Sequence, residues 1–173
     1  FSVGGITEET VLRQIWGVLD DAIRGEVTLG EAVKALRNQF GIDAAHAQTI
    51  IRTNVQSAYQ WGHAQQLQAV RDTYPIWGFD VVLDDNTTED ICMPLAGLAY
   101  PADHGIWDSF YPPNHYNCRT TVYPLADATE ASDAGFGLAS GWPVFANGSP
   151  VLAADGFQLN IGTVPLSKIY DAT

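Results

Sequence analysis

Apolar residues recur at helical spacing through the first seventy positions. Val11, Ile15, Val18 and Ala22 share one face, and Leu19 and Ile23 widen it. Thr7 is placed to cap this helix, with Glu8 and Glu9 in the first turn, where acids suit the positive end of the dipole. Gly25 can end it. Thr28 and Glu31 have the spacing of a capping box, and Leu29, Val33, Leu36 and Phe40 form the stripe of a second helix that Gly41 stops. Asp43 can cap a third, longer helix running to about residue 72. On it Ile51, Val55, Ala58 and Gly62 share a face whose small residues would admit another helix.

The period changes at Tyr74-Pro75. WGFDVVL, residues 77–83, is short, apolar and β-prone, and predicts a strand. DDNTTED, 84–90, reads as a polar turn without the spacing of an EF-hand. A short strand is expected around Leu98-Ala99-Tyr100 and another over CRTTVYP, 118–124. Beyond Pro124 the chain is rich in Ala, Gly, Asp and Ser without a helical period. It predicts an extended tail with ordered pieces around 142–151 and 157–161. The expected fold is α+β, an N-terminal helical region packed on a small irregular antiparallel sheet. The expected divisions are 1–73 helical, 74–125 the sheet, and 126–173 a tail packed on the domain or a partner.

Composition sharpens this picture. The 173 residues, 46% hydrophobic, suffice for one compact core. A start at Phe1 suggests a fragment of a longer protein. No apolar run reaches the ~20 residues of a membrane helix, so no membrane partner is expected. Net charge is −12, and residues 80–173 hold twelve acids against Arg119 and Lys168 alone. Nucleic-acid surfaces need clustered Lys and Arg, so autonomous nucleic-acid binding is not expected.

The densest chemistry is FYPPNHYNCRTTV, residues 110–122. Together with TTEDICMPLAG at 87–97 and the intervening YPADHGIWDS, it resembles the core motif of the phage Mu F-like head morphogenesis (minor head) family. The resemblance rests on Thr88, Cys92, Leu95, Gly97, Trp107, Pro112, Pro113, His115, Cys118 and Arg119. IIRTNVQSAYQWG at 50–62, with Arg52, and DGFQLNIG at 155–162 resemble the family's flanking elements. Asn54, Leu95 and Thr120 depart from it, standing where many members carry Glu, Cys and Cys.

The resemblance implies a structural, non-enzymatic minor head protein of a phage or prophage. It implies the portal and major capsid proteins as partners, and a place in the virion head and in the host cytoplasm during assembly. It also brings Cys92 near the His115–Cys118 pair. These three are the candidate metal ligands, with a fourth for zinc from Asp90, Asp103 or His104. No cofactor is required, because the same residues suit a corner held by packing, with His115 donating to a carbonyl and the cysteines free or bridged. The competing class is a small zinc- or thiol-dependent hydrolase or effector domain. It would need an activated thiolate and Asp90 or Asp108 to orient the histidine, and no oxyanion hole is visible. Pro112 and Pro113 stiffen the corner by fixing φ. Arg119 is expected to fork onto Asp84, Asp85 or Asp90. Arg52, beside Thr53 and Asn54, is expected to make a polar contact between the helical and motif regions. Trp61, Trp77 and Trp107 are expected in packing.

Overall fold

A computed structural model describes residues 9–164. The Thr7 cap, Glu8, the Glu9 side chain and Lys168 lie outside what it describes. The described residues up to Tyr59 form one compact unit, and Gln60–Gly162 form a second.

The first unit holds α1 (Glu9–Ile23), α2 (Leu29–Phe40) and the start of α3 (Ala44–Ala69). Its core is Ile15, Leu19, Ala32, Leu36, Ala47, Ile50 and Ile51. The capping residues act as their chemistry dictates. The Glu31 N–H donates to Thr28 Oγ1 at 3.2 Å, and Thr28 N–H donates back to Glu31 Oε2 at 2.8 Å. Gly41 closes α2 in the left-handed region at φ 65°, its N–H on the Arg37 carbonyl. Asp43 Oδ1 accepts from the N–H groups of Ala45 and His46, opening α3.

The second unit is built on a four-stranded sheet: β1 (Ile76–Asp80), β2 (Leu98–Pro101), β3 (Thr121–Leu125) and β4 (Gly137–Leu138), in the order β3-β1-β2-β4. Central β1 pairs antiparallel with β3 and β2. β4 pairs parallel with β2, so the sheet is mixed rather than purely antiparallel. The cause lies in the stretch read as tail. After β3, Asp127 Oδ1 accepts from Thr129 and Glu130 N–H and nucleates α5 (Ala128–Asp133). The chain then returns along β2, with Gly137 N–H on the Gly97 carbonyl at 2.7 Å and Ala139 N–H on the Ala99 carbonyl at 2.8 Å. Ala131 of α5 packs with Ala99, Leu125 and Phe136 on one sheet face.

The other face carries Trp77, Phe79, Tyr100 and Val122, over which Trp107 and Phe110 of α4 (Trp107–Phe110) and Tyr111 close. Val151, Ala153 and Phe157 from the later tail join this core. Among the described residues nothing lies within 4 Å of where a Gly62 Cβ would stand, so none of them makes the close helix contact expected there. The tight approach to α3 comes instead from Gly162, where a Cβ would collide with Ala64.

Candidate functional site

Two separate segments deliver the three Cys/His residues to one point. Cys92 stands at the start of a single 3-10 turn, Met93–Leu95. The Thr88 carbonyl accepts from both Cys92 N–H (3.1 Å) and Met93 N–H (2.9 Å), which folds TTEDIC back on itself. His115 and Cys118 are the ends of a second tight turn, with Cys118 N–H on the His115 carbonyl at 3.3 Å. Asn117 sits inside that turn at φ 57°, a left-handed conformation that Asn tolerates well. Pro112 and Pro113, both buried and joined by a cis peptide bond, lead into it.

The side chains meet closely. Cys92 Sγ lies 3.0 Å from His115 Nε2 and 3.8 Å from Cys118 Sγ. Thr120 donates its hydroxyl to Cys92 Sγ at 3.1 Å, and Thr88 Oγ1 is 3.0 Å from His115 Nε2. His115 Nδ1 is 2.7 Å from the Tyr116 carbonyl, which can only accept, so the proton of a neutral ring sits on Nδ1 and Nε2 offers its lone pair. Both cysteines are 3% exposed. The pocket beside them, lined by Thr87, Thr88, Asn117 and Arg119 among others, has about 10 Å³ of space, enough for about one water.

The two thiols ionise as a pair. Cys118 is drawn below the ordinary thiol range, first by the hydrogen bond from Cys92, then by His115 and the Asn114 backbone N–H, against the opposing effect of burial. Cys92 is pushed up by the same neighbour and by burial. Burial pulls His115 down, but the hydrogen bond with Cys118 and its charge, then the Tyr116 carbonyl and Asp90, outweigh it, and the net shift is upward. The imidazole's shortest sulfur contact is with Cys92.

Arg119 forks onto Asp84, 2.6 Å on each arm, and Asp85 and Asp90 do not share it. That fork, followed by the Asn86 N–H, holds the Asp84 carboxyl at about 2. Both side chains remain 41% exposed, so the pair orders the 84–87 turn against the corner without a buried charge. Thr88 is half-buried, Gly97 turns the chain into β2 at φ 72°, Trp107 is core, and Arg52 is exposed on α3.

Two sequence expectations are corrected. Asp90, Asp103 and His104 do not join the cluster, which among the described residues comprises three metal-capable side chains. His104 instead accepts from the Ile106 N–H. Neither Asp90 nor Asp108 orients His115 through Nδ1, because the Tyr116 carbonyl occupies that nitrogen. Sequence reasoning missed the roles of Thr120 and Gln60. Gln60 is fully buried and its Nε2 donates to the Thr120 carbonyl at 3.1 Å, backing the site from α3. A mid-helix Gln carries no signal of a partner sixty residues away. Also missed was an apolar groove of about 290 Å³ lined by Phe110, Trp142, Pro150 and Leu152.

The sequence pattern of the "Phage Mu protein F like protein" family matches residues 13–123, and the chain belongs to that family. It is similar to the Mu-like prophage FluMu F protein of Haemophilus influenzae, 35% identical over 122 residues, covering 69% of this chain and 26% of that protein. It is also similar to the "Putative capsid assembly protein F" of Escherichia phage Mu, 34% identical over 80 residues, covering 46% of this chain and 18% of that protein. The chain thus spans about a quarter or less of the length of these relatives. No solved structure matches it.

Proposed function

We propose that this chain is part of a structural minor head protein of a phage or prophage, acting in head assembly through contacts with the portal and major capsid proteins. It works in the host cytoplasm during assembly and resides in the virion head. Family membership and the capsid-assembly name of one relative support the reading. The observation that carries it against a hydrolase is the closure of the motif. Both thiols are buried, and the pocket beside them has room for about one water, too little for a substrate. The acidic second half favours protein partners over DNA. Among the described residues no helix is long and apolar enough to cross a membrane.

The test is recovery of the tagged full-length parent protein from induced or infected cells, with mass spectrometry of purified heads. Recovery of the portal or major capsid protein with it, and its presence in heads, is expected. Absence from heads and from portal-containing intermediates would overturn the reading.

A further inference from the structure

We propose that Cys92, His115 and Cys118 form a binding site for a zinc-class divalent cation, held by two thiolates and one imidazole with a water in the fourth position. The inference stands on geometry and does not depend on the head-assembly reading.

The Sγ–Sγ separation of 3.8 Å equals the edge of a tetrahedron, about 3.8 Å, drawn around a metal about 2.3 Å from each sulfur. The mixed edge between sulfur and nitrogen should be about 3.5 Å, so the 3.0 Å contact of Cys92 with Nε2 must open by roughly half an ångström. A small swing of the imidazole supplies that, because the ring is partly exposed. The histidine is already set as a ligand. Its Nδ1–H is held by the Tyr116 carbonyl, the outer hydrogen bond that metal-bound histidines commonly make, and Nε2 faces the sulfurs. Two sulfurs and one nitrogen select zinc-class ions over magnesium or calcium, which take oxygen ligands. The pocket lined by Thr87, Thr88, Asn117 and Arg119 supplies the space for one water.

Binding forms two metal–sulfur bonds and one metal–nitrogen bond and releases to solvent whichever protons the three ligand atoms carried, with no change in oxidation state. With no room for a substrate, the ion braces the fold, pinning the TTEDIC loop to the 112–119 corner.

The experiment is cobalt and zinc titration of the full chain, freed of metal and kept reduced. One cation per chain is expected, with the thiolate-to-cobalt charge-transfer and visible ligand-field bands of a tetrahedral site. Cys92→Ser and Cys118→Ser should each remove the charge-transfer band of a two-thiolate site, and His115→Ala should weaken binding by more than about 100-fold. Thr120→Cys tests the geometry by gain rather than loss. The Thr120 hydroxyl lies 3.1 Å from Cys92 Sγ, so a thiol there can replace the water. It should tighten zinc at least about tenfold and strengthen the charge-transfer band.

If the serine variants fail to fold, the wild-type and Thr120→Cys titrations still decide the matter. The proposal is overturned if reduced wild-type protein takes up no stoichiometric cobalt or zinc. It is equally overturned if the wild-type spectrum survives in Cys118→Ser, or if a Cys92–Cys118 disulfide forms quantitatively in protein loaded with zinc.

Discussion

Trp107 makes ring contacts with four other aromatic side chains of the second unit. Its ring lies 4.7 Å from Phe79, 5.6 Å from Trp77, 6.2 Å from Tyr111 and 6.3 Å from Tyr100, between centroids. Its Nε1–H is satisfied by the Pro101 carbonyl at 2.9 Å, so the buried indole carries no orphan donor. Removing it leaves a cavity among rigid rings that cannot collapse well. Trp107→Ala should cost about 3–5 kcal/mol, read as a lower melting temperature and denaturant midpoint. The 41%-exposed Arg119–Asp84 fork is a weaker device. Because Asp84 is held below its unfolded value, its contribution is present above the ordinary carboxylate range and fades as pH falls toward 2.

At the scale of elements, α5 shows how one cap redirects a chain. Asp127 accepts two N–H groups of the first turn, and Glu130 Oε2 reaches back to the Ala126 N–H at 2.6 Å. α5 is only six residues long, so little besides this cap and Ala131 fixes it. Asp127→Ala should destabilise the protein by about 1 kcal/mol, with protection from hydrogen exchange lost first at the Gly137 and Ala139 amides of the parallel edge.

This element also marks where the sequence stopped being readable. α1, α2 and α3 were legible because their stripes span several turns, and α2 and α3 also because Thr28 and Asp43 cap them. Asp127 and Glu130 have the same cap-and-third-residue spacing, but only Ala131 follows as a core residue, too little for a period to emerge. The strand expected over 118–124 begins at Thr121, because Cys118 and Thr120 are committed to the corner. At the site, spacing alone paired His115 with Cys118. Cys92 came from the family resemblance, and the Thr120 and Gln60 contacts were invisible because each joins positions at least 28 residues apart.

For the whole molecule, charge is the deciding property. A chain of net charge −12 whose residues beyond 79 carry two bases has no cluster of Lys and Arg there with which to release phosphate counterions. At physiological salt it should leave the electrophoretic mobility of duplex DNA unchanged at ~10 μM protein, well within the range where nonspecific binders shift it. A retarded band at that concentration would contradict this. The family match covers residues 13–123 and so takes in the helices, the central strands and the corner, but not α5 or β4.

With the proposed cation bound, positions 92 and 118 become the two ends of a noose. Between them the chain makes β2, carries Trp107 into the core and passes Pro112 and Pro113, so joining those ends ties off that whole span. Closing such a span subtracts freedom from the unfolded chain without adding a contact to the folded one. The noose also contains its own reporter. Trp107 lies inside it and Trp77 rests against Trp107, so slackening at the knot should register in intrinsic fluorescence without any label.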